Sequence, residues 1–349
     1  MRVGEKRNCM EKRLIRKEAL AGIVGELAKK MRVCAPMQAE DQVLFKVLEG
    51  GEKPLLDFAN TKNAPKQFLF PRTETLMRYT RGEKGMVFAG ETKDGGETLL
   101  FGVRPCDARS FVLLDMLFDQ EKYRDAYYLE RRAKTTVVSF ACVHPPYTTC
   151  FCTSVGGHPV SSEGADILLT DLGEAVLAEF LTPKGEALRE AFGGNPAGEA
   201  EEKQKEAIAE QSAEEIASRV PAKEVKTILD THFEDPFWNT LHQKCLACGT
   251  CTYLCPTCHC FDISDEVKRN DGIRLRNWDS CMFPLFTKET SGHNPRPSQK
   301  ERWRQRVMHK FRYYVDNFGE IACVGCGRCV MACPVNLDIR KIVADIAKL

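Results

Sequence analysis

The spacing C-x2-C-x2-C-x3-C-P occurs twice, at Cys245, Cys248, Cys251, Cys255 and Pro256 and again at Cys323, Cys326, Cys329, Cys333 and Pro334. Two intact copies by chance are very improbable. Three cysteines two residues apart wrap a tight loop, so their thiolates can reach three different irons of a cubane while backbone N–H groups face its sulfides. In this type of run the fourth cysteine crosses over to the other cluster. The spacing therefore predicts one [4Fe-4S] cluster on Cys245, Cys248, Cys251 and Cys333, and a second on Cys323, Cys326, Cys329 and Cys255. The crossover holds the two clusters close together, which suits stepwise electron tunnelling. Structural zinc also takes four thiolates, but usually from two separated C-x2-C pairs instead of three consecutive steps ending in Cys-Pro.

The chain has 17 cysteines, an odd number that argues against a fully paired disulfide framework. Eleven of them fall between Cys245 and Cys333. In a reducing compartment, thiols clustered in this way point to metal or redox chemistry. The N-terminus, MRVGEKRNCMEKRLIRKEAL, carries charges where a secretory signal needs an apolar stretch, and no apolar run spans a bilayer, so a cytoplasmic location is expected. With 50 basic and 49 acidic residues the net charge is near zero and gives no push toward nucleic acid or an anionic membrane.

Two further cysteine groups stand outside the repeats. Cys106 in GVRPCDAR, Cys142 in FACVHPP, and Cys150 with Cys152 in TTCFCTSVGG offer four thiolates at loops, a candidate site for a third [4Fe-4S] cluster. The plainer alternative is a set of buried thiols packed as small hydrophobes. Cys258 and Cys260 in CPTCHCFDI and Cys281 in NWDSCMF are one thiol short of a cluster, which His259 or another cysteine would have to complete. They read more simply as neighbours packed beside the cluster. Cys9 and Cys34 have no such company and are expected to be ordinary thiols.

With 349 residues and 43% hydrophobic content the chain is long enough for two domains. Residues 11 to 31 place Leu14, Ile15, Leu20, Ile23, Val24 and Leu27 at helical spacing, and VLFKVL at 43 to 48 reads as a strand. TLLFGV (98 to 103), TTVVSF (135 to 140) and DILLTD (166 to 171) read as further strands, with ARSFVLLDMLF helical between the first two. The expectation is α+β: a mixed α/β domain at 1 to 182, a charged connector and helix at 183 to 230, and a mostly helical, ferredoxin-like domain of the bacterial two-[4Fe-4S] type at 231 to 349.

Residues 292 to 312 interleave Arg296, Lys300, Arg302, Arg304, Arg306, Lys310 and Arg312 with Trp303 and Phe311. Such a stretch can bind nucleic acid. Lying between two cluster motifs, it is better suited to balancing the negative charge of the clusters or to meeting a partner subunit. No G-x-G-x-x-G follows a strand and no G-x-x-x-x-G-K-[ST] occurs, so the usual signatures of a dinucleotide or nucleoside triphosphate site are missing. No catalytic residue is expected on this chain.

The segments KCLACGTCTYLCPTCHCFDI, RNWDSCMF, SGHNPRP, RQRVMHKF and CVGCGRCVMACPVNLDI, with FLFPRTETL, FGVRPCDAR, CVHPPYTTCFCTSVGG and GADILLT upstream, resemble a known group of dicluster electron-transfer subunits. The group includes beta subunits of cytoplasmic sulfhydrogenases, the A subunit of anaerobic sulfite reductase, and the ferredoxin-like subunit of flavin oxidoreductases that feed heterodisulfide reductases. The resemblance covers most of the chain. It implies an FAD-bearing, NAD(P)-reactive flavoprotein partner and a terminal hydrogenase, sulfite reductase or heterodisulfide reductase, with this chain passing electrons between them. No nucleic acid and no membrane span enter that picture. The rival from a different class is an iron-sulfur or zinc scaffold that acts as a redox-sensing regulatory subunit.

Overall fold

A computed structural model describes residues 11–83, 85–90 and 96–349. Cys9 and the rest of the first ten residues lie outside the described residues. The strands in chain order are β1 (Glu11–Arg16), β2 (Arg32–Ala39), β3 (Gln42–Val47), β4 (Thr73–Gly82), β5 (Gly85–Gly90), β6 (Thr98–Val103), β7 (Thr135–Phe140), β8 (Ile167–Asp171), β9 (Ala175–Phe180), β10 (Asn195–Pro196), β11 (Phe261–Lys268) and β12 (Asp271–Trp278). They form an eight-stranded sheet in the order β10-β1-β9-β8-β7-β6-β2-β3 and a four-stranded sheet in the order β11-β12-β4-β5. The architecture is mixed α/β, in keeping with the expected α+β class. No helix among the described residues is long and apolar enough to cross a membrane.

The chain divides into two compact units. The first comprises Met1–Pro65, Gly96–Val220 and Cys323–Gly327, and the second Lys66–Gly95, Pro221–Ala322 and Arg328–Leu349. These boundaries differ from the linear division expected at 182 and 230. The charged stretch after 183 is part of the first unit: its helix Glu199–Glu214 sets Ile208 and Ala209 against Leu168, Val160 and Leu181, and Lys205 pairs with Glu179 at 2.5 Å. A helix that reads as solvated by charge content still docks, because a few small apolar residues suffice for one face.

In the first unit β2, β6, β7 and β8 pair in parallel, while β3, β9, β1 and β10 add antiparallel neighbours. Parallel strands need both faces covered, which explains why their sequences are nearly continuous apolar runs. Ile167 and Leu169 of β8 join one core with Leu99, Phe101, Val138, Phe140 and the helix residues Leu20, Val24 and Leu27; Leu168 points into the other. Residues 11–16 correct the helical reading. They form β1 against β9, and the helix begins only at Ala19. Spacing across residues 11 to 31 mixed a half-buried strand with a real helix, and the turn at Lys17–Glu18 carries no Gly or Pro to mark it.

In the second unit β11 and β12 form a hairpin paired from Phe261↔Trp278 to Lys268↔Asp271, and β4 and β5 extend it. The expected mostly helical C-terminal part therefore also contains strands. The buried Arg276 donates to the buried Glu74 (Nε–Oε2 3.0 Å), fixing β12 to β4. The remaining helices include Gln299–Met308, which opens on a Ser298/Glu301 capping box and continues through one π turn, His309–Tyr313, into Tyr314–Phe318.

Candidate metal centre

The first cysteine loop folds as its spacing requires. Ala247 and Gly249 take positive φ angles of 55° and 71°, which turn the chain back after each step, and the short helix Thr250–Tyr253 follows. The thiol-bearing residues Cys245, Cys248 and Cys251 line one pocket, and Cys333 from the second repeat lines it with them, together with Met282, Trp303 and Leu337. Three cysteines of one repeat and the last of the other thus share a cavity, as crossover ligation demands. N–H groups already face the sulfurs. Gln299 Nε2 donates to Cys245 Sγ at 3.1 Å, the Ala247 N–H to the same sulfur at 3.4 Å, and the Leu337 N–H to Cys333 Sγ at 3.2 Å.

The residues fit a cluster in a further respect. Trp303, in the wall of this pocket and only 3% exposed, buries an indole Nε1 with no hydrogen-bond partner. A buried N–H without an acceptor is costly, and a cluster sulfide or thiolate would supply one. Hydrogen bonding with the Thr250 side chain and backbone holds the Cys248 thiol below its ordinary range, whereas burial pushes Cys251 up against the opposing charge of Arg306. Among the described residues no group of three His, Cys, Asp or Glu is spaced to hold a single metal ion. A cubane takes one thiolate per iron, so its ligand sulfurs stand further apart than those of a mononuclear site.

Cys255, the fourth cysteine of the first repeat, is buried away from that pocket. Lys310 Nζ lies 3.4 Å from its sulfur and also donates to Thr257 Oγ1 at 3.0 Å and to the Ala322 carbonyl at 2.8 Å. A hydrogen bond from Cys258 leads in holding the Cys255 thiol well below its usual range, against the effect of burial, with Lys310 and Arg306 adding to it. Arg306, 2% exposed, donates to the Cys251 carbonyl at 2.9 Å and approaches Cys258 Sγ at 3.6 Å; its charge also acts on Cys329 and Cys255. Lys66, equally buried, donates to the Cys258 carbonyl at 2.5 Å and lies 4.1 Å from the centre of the Trp278 ring. Burial lowers its pKa to about 8 even beside these thiols.

The basic stretch thus turns inward. Arg302, Arg306 and Lys310 recur at four-residue intervals, and all three are buried, Lys310 within the π turn His309–Tyr313. Arg304 pairs with Glu234 at 2.8 Å and Arg312 with Asp230 at 2.8 Å. These side chains are committed to partners within the protein. His259 and His309 meet edge to face at 5.2 Å, and burial lowers them to about 4 and about 3. Lys66 and Gln299 were not legible as site residues: a lysine in APKQF and a glutamine at a helix start carry no spacing signal.

The upstream cysteines are set by the ends of β6 and β7. Gly102 (φ 78°) makes a bulge in β6, and Arg104, just beyond the strand, donates to the carbonyls of Ala59, Phe140 and Ala141 at 3.1 to 3.3 Å. Pro105 then opens the helix Pro105–Phe118 with Cys106 in its first turn, and Arg109 reaches the Val155 carbonyl at 2.8 Å. Cys142 follows β7, and Cys150 and Cys152 flank Phe151 before the 3-10 turn Cys152–Val155. Cys142, Cys150 and Cys152 are electrostatic neighbours: burial first, then the other two thiols, drives Cys152 up to about 12. Cys106 stands one residue from Asp107 and two from Arg104, both of which act on Cys142. The backbone of Cys323–Gly327 packs on this same loop, with the Phe151 N–H donating to the Gly325 carbonyl at 2.9 Å. Cys34 is fully buried in β2, an ordinary core thiol raised to about 12 by burial. Among the described cysteines none is in a disulfide.

Comparison with known proteins agrees with this geometry. Residues 244–337 match the family described as 4Fe-4S dicluster domain, which supports two [4Fe-4S] clusters. The chain is similar to sulfhydrogenase 2 subunit beta of Pyrococcus furiosus, with 29% identity over 320 residues that span 90% of this chain and 92% of the relative. No solved structure matches. The chain therefore resembles a sulfhydrogenase beta subunit, and iron-sulfur electron transfer within an oxidoreductase is the biochemistry that these matches support.

Proposed function

We propose that the protein is the iron-sulfur relay subunit of a cytoplasmic oxidoreductase complex, carrying electrons between an FAD-bearing, NAD(P)-reactive flavoprotein and a terminal reductase or hydrogenase. The name of the Pyrococcus relative favours a hydrogenase at the far end. The observation that carries the reading is the shared pocket of Cys245, Cys248, Cys251 and Cys333. The first cluster takes those four ligands in a ferredoxin-like fold, and the second takes Cys323, Cys326, Cys329 and Cys255. The clusters supply one-electron exchange. The chain's own part is to fix the thiolates, aim N–H donors at them through Gln299, Ala247 and Leu337, and offset their charge with Arg306, Lys310 and Lys66.

A third [4Fe-4S] cluster on Cys106, Cys142, Cys150 and Cys152 belongs to the same proposal. It is supported by the action of Cys142 and Cys150 on the Cys152 thiol and by the close packing of Gly325 on the loop that carries Cys152. The relay is tested by Cys248→Ser and Cys326→Ser in the assembled complex. Electron flow between the partners should fall sharply in both, while reduction of the flavin by its nucleotide continues. Unchanged flow in both variants would falsify the proposal.

A further inference from the structure

Beyond the proposed ligands, the fold brings two more thiols together. Because β11 and β12 pair from Phe261↔Trp278 onward, the residues before one strand and after the other meet at the open end of the hairpin. The Asp279 N–H donates to the Cys260 carbonyl there at 2.9 Å. Three residues past β12, the Cys281 thiol hydrogen-bonds with the Cys260 thiol, and the Cys281 backbone N–H also faces the Cys260 sulfur. The two differ in access: Cys281 is 8% exposed, whereas Cys260 is partly open. Lys66 and Lys310 act on Cys260 with positive charge.

A sulfur with an N–H donor, a neighbouring thiol and nearby cations is stabilised as thiolate, the form that attacks disulfides. A buried thiol beside it is placed to complete the exchange. We infer that Cys260 and Cys281 form a redox-active dithiol whose substrate class is a low-molecular-weight disulfide, with Cys260 as the attacking thiol and Cys281 as the resolving one. The Cys260 thiolate attacks one sulfur of the disulfide RSSR, forming a mixed disulfide and releasing RS⁻. Cys281 then loses its proton and attacks the Cys260 sulfur, so that a Cys260–Cys281 bond forms and the second RS⁻ leaves. Two electrons pass from the pair to RSSR, and no other reductant or oxidant is needed. This dithiol is independent of whether the chain relays electrons between partners.

The test uses the cluster-loaded full chain under anaerobic conditions, equilibrated in glutathione buffers from fully reduced to fully oxidised, alkylated in denaturant and mapped without reduction. The expected result is a peptide linking Cys260 to Cys281 that forms while the iron content and EPR signals persist, and that disappears with dithiothreitol. In Cys281→Ser, glutathione should accumulate at Cys260 as a stable mixed disulfide, and in Cys260→Ser none should accumulate at Cys281. A pair that stays reduced in oxidised glutathione alone overturns the inference. So does oxidation that goes to Cys258 or to the proposed cluster ligands instead. The map of the unsubstituted protein decides the matter even if a variant fails to fold.

Discussion

Gly325 lies with its backbone against that of Cys152: a Cβ placed on Gly325 would come 2.5 Å from the Cys152 nitrogen, and Gly325 sits at φ 65°. Both the torsion and the approach exclude a side chain. Gly325→Ala should destabilise the protein by about 2–4 kcal/mol, combining left-handed strain with displaced backbone. Gly292→Ala, at φ 86° with open space around it, should cost only the strain, about 1 kcal/mol. Urea unfolding midpoints check the pair, and equal effects would contradict the close packing.

Arg306 is buried among the thiols of the repeats. Its charge acts on Cys251, Cys258, Cys329 and Cys255, and a reduced cluster carries one more negative charge than an oxidised one. Arg306→Gln should therefore lower the midpoint potentials of the C-terminal clusters, by on the order of 50–100 mV for a screened charge at this range. An EPR-monitored redox titration measures it. Potentials unchanged within error would remove Arg306 from the tuning role.

Trp303→Phe isolates one donor. An aromatic ring stays in the wall, at the cost of a small void where the second ring stood, and the indole N–H without a partner is lost. If that N–H serves the first cluster, the variant should lower the potential of that cluster alone, by roughly one hydrogen bond to a charged acceptor, about 1–2 kcal/mol or ~50 mV. If it serves nothing, the potential stays where it is.

The two half-buried histidines give the protein an acid weakness. An unfolded histidine titrates near ~6.5, whereas burial holds His259 at about 4 and His309 at about 3. Between those values the unfolded chain binds protons that the folded chain does not, so stability is lost as pH falls below about 6.5 and levels off only below about 3. His309→Phe should narrow the gap between urea midpoints measured at about pH 7.5 and about pH 5. A gap of unchanged width would show that His309 is not a source of the loss.

The pocket that Cys333 shares with Cys245, Cys248 and Cys251 was legible in the sequence because cysteine spacing encodes loop geometry directly. The strands β6, β7 and β8 were legible as apolar runs because parallel strands are buried on both faces. The β11–β12 hairpin was not. FDISDEVK sets Phe261, Ile263 and Val267 at alternate positions, but Asp265 breaks that apolar face and the strand is exposed along most of its length, so its period-2 signal is too short to mark a half-buried strand. The inward turn of Arg302, Arg306 and Lys310 was hidden for a different reason, since basic residues at helical spacing look the same whether they face water or buried thiols.

The measurement that bears most directly on the relay reading is iron and acid-labile sulfide per chain in anaerobically purified protein, with EPR of the dithionite-reduced sample. Three cubanes predict about twelve of each and reduced-cluster signals that interact. About eight would confine the clusters to the C-terminal repeats and remove the proposed site at Cys106, Cys142, Cys150 and Cys152. Zinc without sulfide would contradict electron transfer by this chain altogether.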